Sequence, residues 1–281
     1  MSQEPIDRYL FNASTNIGIE VKPIDFLWKR TAAAQITHRI DFYHFIWVEE
    51  GECSFTIDFE KICLRSGDAF LIVPGQVCSF DSGVQSRGYS VLFVPEFLGE
   101  DHADSKLPHS VSGMTPLVHK VVSLTGLPIG DLLQQLIHEL NRPVDEYQSV
   151  VARSCLRILL AEVARRLPFQ ATELSKPSER FFEAVEKHFD RLYNVSDYLS
   201  LLNMSEKVLT QVVRQAVGLT PKVYLDKRRT LEAKRLLAYT KLSVKEISFA
   251  LGFDEPTNFN KFFRKHVGVS ANDFRLQSLQ L

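Results

Sequence analysis

Two stretches of the chain offer the same small set of hydrogen-bonding side chains at the same spacing. VLTQVVRQAVGLTPKVY, Val208–Tyr224, carries Thr210, Gln211 and Arg214; NFNKFFRKHVGVSANDF, Asn258–Phe274, carries Asn260, Lys261 and Arg264. Asn and Gln can pair bidentately with the edge of adenine, Lys and Arg can reach guanine or phosphate, and the Thr methyl can touch that of thymine. At i, i+1, i+4 the three groups of each set share one face of a helix. The opposite face is apolar, with Leu209, Val212 and Val213 in the first copy and Phe259, Phe262 and Phe263 in the second. The copies lie 50 residues apart without a gap, which marks a repeat rather than chance similarity.

Polar faces of this kind are useful only when something holds them. Each of the two helices runs into a glycine, Gly218 or Gly268, and then a hydroxyl, Thr220 or Ser270, suited to capping a following helix. Start signals recur through the last hundred residues. Ser243-Val-Lys-Glu246 is a capping box, Asn194-Val-Ser-Asp197 is a close relative of one, and Pro221 and Pro256 suit a first helical position. Seven helices are expected, starting near Ser178, Val195, Glu206, Pro221, Val244, Pro256 and Ala271. The short separators LNMS and GFDE make two helix-turn-helix units of them. A long helix from Pro221 to about Tyr239 would hold the two polar faces apart; at about 34 Å, one chain could read two successive major-groove segments of double-stranded DNA.

Charge supports that partner. From Lys176 onward the chain has 18 Lys and Arg against 12 Asp and Glu, a net of +6, which leaves −7 for the remainder of a chain whose total is −1. A basic C-terminal third beside an acidic remainder suits a polyanion at one end only. With 281 residues, 45% hydrophobic and 24% charged, two globular domains are expected. No apolar run approaches the roughly 18 to 20 residues of a membrane span, and Met1–Leu10 has no basic-then-apolar signal pattern, so a cytoplasmic protein with no membrane partner is expected. Cys53, Cys63, Cys78 and Cys155 show no C-x-x-C pairing. They are expected to be buried free thiols rather than a zinc site or a disulfide framework.

The first part reads differently. FYHFIWVEEGECSFTIDF, DAFLIVPGQVCSF and YSVLFVP are β-favouring runs, with turn signals at Gly51, Gly67, Pro74-Gly75 and Gly83; short antiparallel strands forming a sandwich or small barrel are expected. Two helices follow, one with Leu132, Leu133, Leu136, Ile137 and Leu140 on a face, and one over Val144–Leu167 with Val151, Ala152, Cys155, Ile158, Leu159 and Val163. Their stripes either cover the barrel or pair with a second subunit. PFQATELSKPSE, Pro168–Glu179, has two prolines and no period, the composition of a linker. The expected fold class is α+β multidomain: a barrel over residues 1–127, a helical segment over 128–167, a linker over 168–178 and an all-α domain over 179–281.

Ser243–Arg275, SVKEISFALGFDEPTNFNKFFRKHVGVSANDFR, and Val195–Arg229, VSDYLSLLNMSEKVLTQVVRQAVGLTPKVYLDKRR, resemble the two helix-turn-helix units of the AraC/XylS family of bacterial transcription regulators. The resemblance implies groove-facing roles for Lys207, Thr210 and Gln211 in the first unit and for Thr257, Asn260 and Lys261 in the second, with Arg214 and Arg264 at phosphates or the groove edge. Leu199 and Ser248 stand where that family usually has alanine, and Ala271 where it usually has proline. VEEGECSFTIDF and RSGDAFLIVPGQV resemble the family's cupin-like sensor barrel, which implies a small-molecule effector, a homodimer, and RNA polymerase as a further candidate partner of an activator.

A metal-dependent cupin enzyme with an accessory helical domain is the alternative. Metal-binding cupins use an H-x-H pair, a glutamate and a later histidine, donors suited to first-row metals. Here His38 and His44 are six apart, and Cys78 occupies the place of the later histidine, so no metal, no cofactor and no catalytic constellation are expected. His44, Cys78, Phe80 and Ser90 are the candidate effector-binding residues, the plain alternative being a barrel filled by its own side chains. On a regular strand, His44, Ile46 and Val48 share one face and Tyr43, Phe45 and Trp47 the other; which face looks inward is open at this level.

Overall fold

β-Branched and aromatic residues between glycines that adopt positive φ build the first part of the chain as a β structure that is antiparallel except for the short parallel pair of Arg8–Tyr9 with Arg39–Ile40. A computed structural model describes residues 8–9, 17–29, 37–80, 86–98, 120–166 and 176–278. The strands are β1 (Arg8–Tyr9), β2 (Ile19–Pro23), β3 (His38–Ile40), β4 (Tyr43–Glu50), β5 (Glu52–Ile57), β6 (Glu60–Arg65), β7 (Asp68–Ile72), β8 (Val77–Phe80), β9 (Arg87–Phe93) and β10 (Val122–Ser123). They form two five-stranded sheets, in the orders β1-β3-β8-β5-β6 and β10-β7-β4-β9-β2. Gly51, Gly67 and Gly75 all have φ above 80° at the expected turns; Gly83 lies outside the described residues.

The alternation along β4 now acquires a direction. Ile46 and Val48 belong to one buried cluster with Phe55, Ile57 and Leu64 of β5 and β6 and Cys78 and Phe80 of β8, so they point between the two sheets. Tyr43, Phe45 and Trp47 belong to a second cluster on the other side of the same sheet. That side is covered by helices α1 (Ile129–Leu140) and α2 (Gln148–Arg166) through Leu133 and Leu136, and through Ala152, Cys155, Leu156, Leu159, Leu160 and Val163. Burying each such leucine stabilises the unit by about 1.5 to 3 kcal/mol. The helical stripes therefore do pack on the sheet. Ile158, expected within the stripe of α2, is instead 53% exposed, because the stripe is centred on Ala152, Leu159 and Val163 and Ile158 falls beyond its edge.

The chain divides into two compact units, Asp7–Phe169 and Gln170–Leu281. Of the stretch expected to link them, residues 168–178, all but 176–178 lies outside the described residues. The second unit is helical throughout its described part: α3 (Lys176–His188), α4 (Val195–Leu202), α5 (Glu206–Val217), α6 (Pro221–Tyr239), α7 (Val244–Ala250), α8 (Pro256–Val267) and α9 (Ala271–Ser278). Its starts agree with the sequence signals to within two residues, Lys176 against Ser178 being the largest difference. Phe181, Phe182, Tyr198 and Tyr224 pack as rings 4.9 to 5.8 Å apart in the first half. Phe259, Phe263, Ile247, Leu251, Leu237 and Ala271 form the core of the second.

Candidate nucleic-acid interface

Both helix-turn-helix units are closed by the same backbone device. At the end of α4, Asn203 adopts φ 52°, and the next amide, Met204 N–H, donates to Leu199 O at 3.1 Å; at the end of α7, Gly252 adopts φ 72° and Phe253 N–H donates to Ser248 O at 2.9 Å. A left-handed residue followed by this long backward bond satisfies carbonyls that a helix end leaves open. Counted from its left-handed residue, the second turn is one residue longer than the first, since Asn203 and Gly252 lie 49 residues apart while α5 and α8 start 50 apart.

Two of the three residues that depart from the pattern of the resembled family, Ser248 and Ala271, are accommodated. Ser248 is fully buried, yet its hydroxyl donates to Lys245 O at 2.7 Å, so no polar group is stranded. Ala271 is buried against the second core, and the α9 start is capped by Ser270 Oγ, which accepts Asp273 N–H at 3.1 Å. Thr220 Oγ1 does the same for Val223 N–H at 3.3 Å.

The second helices of the two units, α5 and α8, are each buried along one stripe, Leu209 and Val213 in one and Phe259 and Phe263 in the other, all without exposed surface. The remaining faces are open. Lys207, Gln211 and Arg214 are exposed and Thr210 is half-buried; Thr257, Asn260, Lys261 and Arg264 are all exposed. Lys207, Thr210, Gln211 and Arg214 also line one shallow surface concavity together with Glu206 and Gln215. Both helices end in a left-handed glycine, Gly218 and Gly268, whose N–H donates to the carbonyl of Arg214 and Arg264 respectively. Each open face thus carries a lysine with neutral hydrogen-bonding groups, Lys207, Thr210 and Gln211 or Thr257, Asn260 and Lys261, and an arginine nearer the helix end, an order that suits base edges first and phosphate after.

Sequence reasoning missed what joins the units. Lys227-Arg228-Arg229 on α6 is a run of three cations, yet Arg228 and Arg229 are 2% and 7% exposed. Arg228 Nε donates to both oxygens of Glu186 on α3 at 3.0 Å, with its guanidinium carbon 3.7 Å from the centre of the Phe189 ring. Burial alone would lower its pKa, but Glu186 and Glu232 outweigh that and hold it above the usual arginine value. Arg229 Nη2 donates to Leu251 O at 2.7 Å. Burial draws the Arg229 pKa below the usual value, with Tyr193 and Asp226 opposing. Three consecutive charges on a connecting helix were the available signal, since only about a third of such a helix can face water when both sides of it are packed.

In the first unit of the chain, the four effector candidates converge on the space between the sheets. His44, Cys78, Phe80 and Ser90 are all less than 9% exposed. His44 Nε2 lies 3.0 Å from Ser90 Oγ, the His44 and Phe80 rings are 5.7 Å apart, and Cys78 Sγ lies 3.5 Å from His38 Nε2. Burial raises the Cys78 thiol well above its usual pKa, with the Asp58 charge adding to the effect, so it is a neutral, weakly polar wall rather than a nucleophile. Among the described residues no group of three His, Cys, Asp or Glu is placed to hold a metal ion, and no helix is long and apolar enough to cross a membrane. Cys53 and Cys155 are buried free thiols as expected, but Cys63 is exposed, because it lies on the solvent side of β6 opposite Ser54.

Comparison with known proteins follows the same division. A family model described as an AraC-like ligand binding domain matches residues 31–155, and one described as a helix-turn-helix domain matches residues 198–277. The Msm operon regulatory protein of Streptococcus mutans is 25% identical over 240 residues, 84% of this chain and 84% of its own. The transcriptional activator RhaS of Escherichia coli is 24% identical over 253 residues, 85% of this chain and 86% of its own. Among solved structures, ToxT from Vibrio cholerae aligns over 92% of this chain and 98% of its own, at 12% identity and a TM-score of 0.44.

Proposed function

Because this chain belongs to the AraC family of transcriptional regulators, we propose that α5 and α8 are its two DNA-reading helices and that the interior of its β unit is where a small-molecule effector acts. The protein is a DNA-binding transcriptional regulator with a ligand-binding type of N-terminal domain. Lys207, Thr210 and Gln211, and Thr257, Asn260 and Lys261, contact base edges, while Arg214 and Arg264 meet phosphate. The observation that carries this reading is the pair of exposed polar stripes, each backed by a fully buried apolar stripe on the same helix.

His44, Ser90, Phe80 and Cys78 supply the effector site. Their support is convergence on one interior, with one buried hydrogen bond and facing rings. An effector there shifts the protein between two arrangements only to the extent that it binds one better than the other. The protein acts in the cytoplasm, as a homodimer and without catalysis. The exposed Val150 and Ile158 of α2, 54% and 53% exposed, and Tyr147 just before it, 63% exposed, support pairing of that helix with a second copy.

The test is binding of the full chain to DNA fragments from around its own gene, titrated against salt. One fragment should bind tightly, with an affinity that falls steeply as salt rises, and Asn260→Ala/Lys261→Ala should lose that preference. Equal binding of all fragments by both proteins would defeat the assignment of α8 as a reading helix.

A further inference from the structure

Arg229 is a buried cation with unusual surroundings. Its guanidinium carbon lies 4.6 Å from the Tyr193 ring centre, 4.2 Å from that of Phe253 and 5.5 Å from that of Phe262. One nitrogen donates to Leu251 O at 2.7 Å, and Nε has no hydrogen-bond partner among the described residues. Aromatic faces and a single carbonyl therefore touch this charge directly, while the Asp226 carboxylate acts on it without a hydrogen bond.

The groups around it come from both halves of the domain. Tyr193 precedes α4 in the first helix-turn-helix unit, and the backbone N–H groups of Tyr193 and Asn194 are fixed by Asp197 at 3.2 and 3.0 Å. Leu251 and Phe253 belong to the turn of the second unit, and Phe262 to its recognition helix α8. Phe253 also packs on Phe259, with ring centres 5.4 Å apart. The same seam has no spare room: a Cβ at Gly252 would fall 1.6 Å from Cζ of Tyr193, and Gly252 sits at φ 72°. Only glycine admits both the backbone and the ring.

From this arrangement, and resting on the DNA-binding reading above, we infer that Arg229, Tyr193 and Gly252 form a clamp that locks the two helix-turn-helix units at one separation and orientation, and so fixes the spacing of the two DNA segments that one chain reads. Arg229 is a positioning residue. It lies behind the recognition helices and acts through them.

The experiment uses the full chain and a duplex selected by the wild-type protein from a random pool. Three forms of that duplex are compared: the selected one, one with a base pair inserted between the two segments, and one with the second segment scrambled. An inserted base pair shifts the second segment by about 3.4 Å and rotates it by roughly a tenth of a turn, which a locked pair of helices cannot follow. Wild type should discriminate against it by at least about tenfold. Arg229→Met keeps the bulk and loses the charge and the carbonyl bond; Tyr193→Leu removes the ring from the other side. Both should bind the selected duplex roughly 10- to 100-fold more weakly, hold the scrambled-segment duplex within about twofold of wild type, and lose the discrimination against the inserted base pair.

Loss of stability alone would lower binding to all three duplexes in proportion and leave the spacing preference intact; that result, or a wild-type spacing preference in both variants, overturns the clamp. A wild-type chain that enriches no duplex at all overturns the DNA-binding reading with it.

Discussion

His44 Nε2 and Ser90 Oγ lie 3.0 Å apart in the buried space between the sheets, on neighbouring strands whose register places Ser90 opposite Ile46. In a diagonal antiparallel pair the two side chains share one face, so this bond exists only if β4 and β9 keep their register. Ser90→Ala removes the partner of a buried ring nitrogen without opening a large cavity. The expected cost is about 1 to 3 kcal/mol of stability, read as a lower urea midpoint of the β unit. A change below about 0.5 kcal/mol would show that the pair contributes complementarity to a ligand rather than to the fold.

Lys261 and Arg264 sit one helical turn apart on the open face of α8, and their substitutions should separate base reading from phosphate contact. Lys261→Ala should lose about 1 to 3 kcal/mol of discrimination between the operator and a base-substituted copy. Arg264→Ala should weaken both duplexes alike and make the slope of log affinity against log salt shallower by about 1. Reversal of the two patterns would exchange the roles; no effect from either would place α8 away from the groove.

The C-terminal unit was legible almost element by element because its signals are local. Ser243 and Glu246, Pro221 and Gly218 each declare a helix boundary within a few residues, and the 50-residue repeat aligns the polar faces of α5 and α8 without any knowledge of packing. What stayed hidden depends on contacts far apart in sequence. The turn to solvent of Ile158, the inward direction of His44 and the burial of Arg228 and Arg229 are all decided by which element lies opposite. Periodicity says that a strand has two faces; only the covering helices α1 and α2 say which of them looks between the sheets. Likewise, the burial of Arg228 and Arg229 on α6 shows only once Glu186, Tyr193 and Phe253 are seen around them.

Thiol chemistry gives a direct check on the β unit. Burial pushes Cys53 up to about 12, with the Cys63 charge adding to it, and raises Cys78 and Cys155 as well. A thiol reagent acts on the thiolate, and thiols that are both covered and neutral react slowly. Cys63 alone of the four is exposed. The native chain should therefore release one equivalent rapidly with an aromatic disulfide reagent at about pH 8, and the other three only on denaturation. Rapid release of a second equivalent would mean that the interior around Cys53 or Cys78 opens in solution, as an effector site must in order to fill.

The start of α7 should carry its own pH dependence. The Ser243 hydroxyl and backbone N–H both donate to Glu246 Oε2 at 2.7 Å, while Ser243 Oγ accepts Glu246 N–H at 3.2 Å. These bonds favour the ionised carboxylate, the hydroxyl most and the backbone N–H next, and so lower its pKa from the usual 4.5. A group whose pKa is lower in the folded state contributes stability above its unfolded value and loses it as pH falls through the folded one. Glu246→Gln keeps an acceptor but removes the charge, so it should unfold at lower urea than wild type at about pH 6, and the two should converge as the pH falls through the lowered pKa of Glu246, below which both side chains are neutral. The reading is the midpoint of the helical circular dichroism transition of the full chain. A gap that stays constant across that range would mean that the carboxylate acts through shape and not through charge, and that the box which sets the second helix-turn-helix unit is indifferent to protonation.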